Sequence, residues 1–338
     1  MIESCMSSIK PMLGFLRDLK NDKADEQMLR EILNHPDYDF EFRRYEIESK
    51  EPFIKYFMQL STINETDIPE IDTKRKTILR DKHKKWLSAY ENLEHYEMLY
   101  DKIKSSITDD TLEGINARVK RGLPGNTAID DVRIISTMSI GPSFGYVFDG
   151  ALHFDLMGFE DDSLDTLPSL IAHETHHLAM WKYVSAFIEN LTLEERYIFQ
   201  FTGEGLAIKF CNNAQGAISK AIDADCPINE GLDAFSIAYL NERFDEDFKV
   251  FEDTLDSIRA GKMDKDTVFK QFEEYWWNPY TDEQSRDEEP LLKQSRMYTF
   301  GNDLFGAIYD AYGNEKLFEC VRYPLQAIEC FKQIIEKR

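Results

Sequence analysis

The chain has 338 residues, 42% of them hydrophobic, 13% aromatic and 30% charged, a globular composition long enough to bury one large core or two. Its 40 Lys and Arg stand against 63 Asp and Glu, a formal net charge of -23, which argues against a protein built to hold nucleic acid or anionic lipid. No run of about 18 apolar residues occurs, so no membrane span is expected.

Residues Met1 to Asn21 mix charged with apolar residues and lack the unbroken apolar core of a signal peptide. The five cysteines are widely spaced, with no Cys-x-x-Cys pair, as in buried thiols of a reducing, cytoplasmic compartment. From Met1 to about Ser105 the apolar residues recur at helical spacing. Ile9, Met12, Leu13, Phe15 and Leu16 form one stripe, and Met28, Leu29, Ile32 and Leu33 a second. A longer stripe runs from Phe40 to Leu60, and one helix is expected from near Asp72 to Lys104. A basic run, Lys74-Arg75-Lys76 with Arg80, Lys82, Lys84 and Lys85, reads best as a solvated helix face.

The pattern changes after Asp109. Arg121-Gly122-Leu123-Pro124-Gly125-Asn126 is dense in turn residues, and Val132 to Ile140 is rich in β-branched ones. Gly145 to Phe148 and Ala151 to Leu156 flank Asp149-Gly150, a pair suited to a tight hairpin. A small sheet over residues 130–157 is therefore expected just before the next helix.

That helix carries Leu170-Ile171-Ala172-His173-Glu174-Thr175-His176-His177-Leu178-Ala179. Residues four apart share a helix face, so His173 and His177 can hold one metal ion, and Glu174 beside them can serve as a general base on a water. Chance would put the bare His-Glu-x-x-His pattern in about one chain in a hundred of this length. Pro168 after Thr166 marks the helix start, and Asn190 its end. Thr192-Leu193-Glu194-Glu195 is a capping box for the next helix.

A catalytic zinc takes three protein ligands and keeps one position open. Glu189, Glu194, Glu195 and Glu204 all follow within reach. Glu204 fits best as the third ligand, because it lies between Gly203 and Gly205 beside Phe201, Leu206 and Ala207, where a solvated charge is poorly explained. Further helices are expected over about 232–260, 264–277, 288–312 and 323–337, with Trp276 to Asp282 as a loop or lid.

His173-Glu174-Thr175-His176-His177 followed by Gly203-Glu204-Gly205-Leu206-Ala207 resembles the gluzincin metallopeptidases, whose zinc ligands are two histidines and a downstream glutamate. Within that group the likeness is nearest to bacterial families described only as zinc-dependent peptidases. The resemblance implies that His173, His177 and Glu204 bind Zn2+, that Glu174 is the catalytic base, and that a Tyr or His from a later helix stabilises the oxyanion. Tyr298, one turn before Gly301, is the candidate for that role. Where thermolysin-like members carry an Asp that orients the first histidine, four positions after the third ligand, this chain has Ile208. The glutamate with which aminopeptidases hold a free N-terminus has no counterpart in Gly150 to Phe154.

The expected fold is α+β and predominantly α-helical, with a zincin-like catalytic core. A helical N-terminal region, 1–108, precedes a catalytic region, 109–338, that holds the small sheet 130–157, metal helices over 166–222 and a helical C-terminal half. The expected activity is zinc-dependent hydrolysis of a peptide or protein substrate. The rivals are a helical binding or regulatory protein that keeps the scaffold without catalysis, and a metal-dependent hydrolase of a non-peptide substrate. His176 reads as a partly exposed neighbour of the ligands, and His153 as a residue that could line the cleft. No oligomeric state follows from the sequence.

Overall fold

The computed structural model describes residues 2–73, 76–125, 127, 129, 132–159, 161–277 and 292–337. The fold is α+β and mostly helical, with one four-stranded sheet among the described residues. The chain groups into two compact units, Met1–Leu112 with Asp130–Asp165, and Glu113–Ile129 with Thr166–Arg338.

In the first unit the strands β1 (Ile2–Cys5), β2 (Val132–Thr137), β3 (Gly145–Phe148) and β4 (Ala151–Asp155) lie in the order β1-β2-β4-β3. β2 pairs in parallel with β1 and with β4, and Ile135 faces His153 across the second pairing. β3 and β4 form the expected antiparallel hairpin, and its turn residues Asp149 and Gly150 both have positive φ, 45° and 70°, as a tight hairpin with right-handed twist requires. β1 is a strand within the region whose apolar residues recur at helical spacing nearly throughout. It is a four-residue edge strand paired with residues some 130 positions later, so its local pattern carried no period to read.

Helices α1 (Ile9–Lys20), α2 (Glu26–Leu33), α3 (Pro36–Arg44), α4 (Glu51–Met58), α5 (Ile78–Glu91) and α6 (Leu93–Ser106) complete the unit, before α7 (Asp109–Arg121). The single helix expected over 72–104 is two, broken at Asn92, and the turn-rich expectation after Asp109 begins with the α7 helix. Phe40 of α3 packs against Ile135, Tyr146 and Ala151 of the sheet. In the basic run, Lys74 and Arg75 lie outside the described residues, whereas Lys82 is not solvated: it is buried and ion-paired with buried Asp155.

The second unit is built on α8 (Leu167–Val184), α9 (Leu193–Phe199), α10 (Thr202–Cys211), α11 (Ala234–Glu242), α12 (Phe244–Arg259), α13 (Lys265–Gln271), α14 (Arg296–Gly301), α15 (Ala307–Arg322) and α16 (Pro324–Ile335). α8 starts behind Thr166 with Pro168 in its first turn but ends at Val184, earlier than expected. The predicted capping box at Thr192 and Glu195 is present in both directions. Tyr197, Phe201, Phe251, Phe272, Trp276 and Phe300 pack ring on ring, and each buried aromatic contributes roughly 1.5–3 kcal/mol through the apolar area it removes from water. Trp276 is fully buried there and donates Nε1–H to Tyr197 Oη at 3.0 Å. The expected lid therefore begins in the core, and its remainder, residues 278–282, lies outside the described residues, as does the start of the helix expected over 288–312. No helix among the described residues is long and apolar enough to cross a membrane.

Candidate metal centre

Three side chains of the second unit converge. His173 and His177 sit one turn apart on α8, and Glu204 comes from the first turn of α10. His173 Nε2 lies 3.0 Å from Glu204 Oε2 and 3.0 Å from His177 Nε2, and His177 Nε2 lies 3.3 Å from Glu204 Oε2. Among the described residues this is the group of three His, Cys, Asp or Glu placed to hold a metal ion.

The glycines beside Glu204 act differently from one another. A Cβ on Gly203 would meet nothing within 4 Å, but one on Gly205 would stand 2.2 Å from the carbonyl carbon of Gly301, and one on Gly301 would stand 2.3 Å from Phe201 O. α10 and α14 thus cross backbone against backbone, which only glycine at both positions permits. That crossing carries Tyr298 to the site. Its ring stacks on His173 at 6.1 Å and 16°, and its hydroxyl lies close enough to Glu204 to feel the carboxylate charge. Burial and the Glu204 charge raise the Tyr298 phenol well above its ordinary value, so it stays protonated as a donor.

The residue that orients His173 is Asn212, the C-cap of α10. Asn212 Nδ2 donates to Glu230 O at 2.7 Å, which turns Asn212 Oδ1 toward His173 Nδ1 at 2.9 Å. Only an N–H can answer that oxygen, so His173 Nδ1 carries the proton and Nε2 presents a lone pair to the site. Glu230 is itself held by Arg118 of α7, whose Nη1 donates to its Oε2 at 2.7 Å and to Ser169 Oγ at 2.6 Å. Sequence reasoning missed Asn212, Glu230 and Arg118. An asparagine closing a helix reads as a stop signal, and nothing local distinguishes one that also faces a histidine.

The donor set asks for a cation. The Nε2 lone pair of His173, the Glu204 carboxylate and His177 Nε2 all face one another, and such an arrangement is repulsive unless a proton or metal lies between them. Atoms about 2.1 Å from a tetrahedral zinc lie about 3.4 Å apart, close to the separations found here. Burial disfavours charge on His177, but the Glu204 charge and hydrogen bond and the Glu174 charge outweigh it and lift the imidazole to about 9. Burial likewise works against the Glu204 carboxylate, and the two histidines overcome it, holding the group well below the usual carboxylate range. Two imidazoles and a carboxylate suit zinc.

The other histidines lie elsewhere. His176 is fully buried rather than partly exposed, and burial lowers it to about 3. It faces away from its neighbours, donating Nε2–H to Gly122 O at 2.8 Å and stacking on Phe210. His153 lines no cleft in its own unit: it is wholly buried on β4, beside Glu41 and Thr137.

A comparison with curated proteins finds no match, and neither does one with solved structures. The family described as "Putative zinc dependent peptidase (DUF5700)" matches residues 29–338, a span that contains all three converging side chains together with Glu174, Asn212 and Tyr298. The chain belongs to that zinc-dependent family.

Proposed function

We propose that the protein hydrolyses peptide bonds at a zinc ion held by His173, His177 and Glu204, with Glu174 as general base. What carries the reading is the convergence of two imidazoles and a carboxylate in a donor set with the spacing of zinc ligands. Zinc, when bound there, would polarise the scissile carbonyl and acidify a water.

The chain's own residues do the rest. Glu174 lies one position beyond His173, half-buried, and close enough for its charge to act on both His177 and Tyr298. It accepts the proton of the attacking water and returns it to the departing amine nitrogen. His173 is kept in one tautomer by Asn212 and needs no reorganisation when the ligand set closes. Tyr298, held protonated, donates a hydrogen bond to the developing oxyanion.

The test is elemental analysis of the purified full-length protein beside a peptide-cleavage assay. About one zinc per chain is expected, lost in His177→Ala and Glu204→Ala and retained in Glu174→Gln. Glu174→Gln should lower cleavage on the order of a thousandfold. A Glu174→Gln variant as active as the parent would remove Glu174 from the mechanism. A zinc-loaded parent that cleaves no peptide would leave a metal-binding or non-peptide hydrolase role.

A further inference from the structure

α8 does more than carry ligands. At about 100° per residue, and with His173 as origin, His177 stands at about 40°, Leu170 at about 60°, Trp181 at about 80° and Glu174 at about 100° around the helix. One sector therefore holds a ligand, the proposed base and two large apolar side chains. Along it exposure rises from buried His173 through half-buried His177 to Trp181, 59% exposed. The Glu174 side of the sector is the open one, and Trp181 sits there about 6 Å along the axis beyond His177, whereas Met180 and Val184, at about 340° and 20°, are buried.

Trp181 is the most exposed large apolar side chain among the described residues, and it stands on a helix that is otherwise mostly buried. Its neighbours in the sequence bury apolar groups normally: Met180 and Val184 are both 4% exposed. Tyr183, two positions on, packs its ring on Phe318, whereas Trp181 makes no ring contact among those recorded for the described residues. A bound peptide laid along this sector with its carbonyl at the ligand set would run a neighbouring side chain over the indole. Such a contact would exclude water from both surfaces.

We propose that Trp181 is a substrate-binding residue, forming the apolar wall of a groove along α8 that selects peptides with a large apolar or aromatic side chain next to the scissile bond. Half-buried Leu170 flanks the reacting residues on the other side. The inference rests on the peptidase reading for its substrate class, but its geometry can be tested without turnover.

The probes are two hydroxamates, which grip an accessible zinc, identical except that one bears a phenylalanyl and the other a glycyl side chain. Their affinities for the zinc-loaded full-length protein are measured by calorimetry. The phenylalanyl compound should bind at least tenfold more tightly to the parent, and Trp181→Ala should lose most of that gain while keeping its zinc. Trp181→Phe should retain part of it, a rescue that a general disturbance of the helix would not produce. Equal binding of the two compounds to the parent, or an undiminished gain in Trp181→Ala, would overturn the proposal. Cleavage of a peptide library separates the two ideas. A protein with the hydroxamate preference that cleaves nothing keeps the groove and loses the peptidase reading. One that cleaves without favouring large apolar residues beside the scissile bond keeps the activity and loses the groove. A chain that takes up no zinc loses both.

Discussion

Two buried histidine–glutamate pairs in this protein have opposite characters. In the first unit His153 Nε2 lies 3.3 Å from Glu41 Oε1, with both residues wholly buried. In the second, His173 and His177 meet Glu204 at similar distances. The difference is in the donors. Glu41 Oε1 accepts from Thr137 Oγ1, and Oε2 accepts from Ser139 Oγ at 2.6 Å and from the Ile140 N–H at 3.0 Å. Burial would raise the Glu41 carboxyl, but His153 and these hydroxyls bring it below its ordinary value. Its lone pairs are answered by the protein, and nothing further is required. Around Glu204 the Nε2 atoms of two imidazoles point inward with the carboxylate, answered only by a proton or a metal ion shared among them, and the site is partly open. A saturated buried carboxylate serves as a brace, whereas acceptors left facing one another mark a place for a cation.

The largest effect that would sharpen this contrast is expected from Glu41→Ala. Removing a buried anion strands His153, two hydroxyls and a backbone N–H, at a cost of about 3–5 kcal/mol in stability. Denaturant unfolding should register that loss while zinc content stays unchanged. A loss of zinc in the folded variant would break the division between brace and metal site.

Asp247 extends the comparison to a buried acid with fewer donors. It accepts from Tyr275 Oη at 2.7 Å and stands 3.4 Å from Arg296 Nε. Burial outweighs both and raises it to about 6 from its ordinary 3.8. The folded state therefore binds this proton more tightly than the unfolded chain does. Its contribution is fully present below about pH 4, is lost as pH rises to about 6, and is constant above that, a change of about 3 kcal/mol. Asp247→Asn should remove that part of the slope in stability against pH. An unchanged slope would show that Asp247 is not raised.

Asn212 offers a smaller and more local test. Asn212→Leu removes the acceptor that sets the His173 tautomer and should weaken zinc binding about 10–100-fold. Asn212→Asp keeps an acceptor there and should weaken it less. Equal affinities in all three proteins would mean that His173 is held by other contacts. The smallest effect on zinc affinity is expected for Tyr298→Phe, which should lower kcat on the order of a hundredfold and leave zinc binding nearly intact. A loss of zinc instead would make the Tyr298 hydroxyl a support for Glu204 and not an oxyanion donor.

Much of the site could be read in the order of residues, because its parts are local. His173 and His177 are related by one helical turn, Glu174 by one residue, and the Asp149-Gly150 hairpin and the Thr192–Glu195 capping box by two and three. Tyr298 was legible only through a likeness to other enzymes and the presence of Gly301. The structure supplies the reason it arrives, since Gly205 and Gly301 let two helices touch. The role of Asn212 was not legible, because a C-cap amide looks the same whether or not a histidine stands opposite. β1 was not legible either, because four residues paired with a distant strand have no periodicity of their own.

The sequence by itself determined the chemistry available: two imidazoles on one helix face, a carboxyl group beside them and another between glycines. Tertiary structure alone decided which groups would remain unsatisfied. It buried His153 among donors that complete Glu41, turned His176 to the back of α8, and used Asn212 to aim the lone pair of His173 at Glu204. A residue type fixes what a side chain can donate or accept, but whether a partner answers it depends on elements brought together from far along the chain.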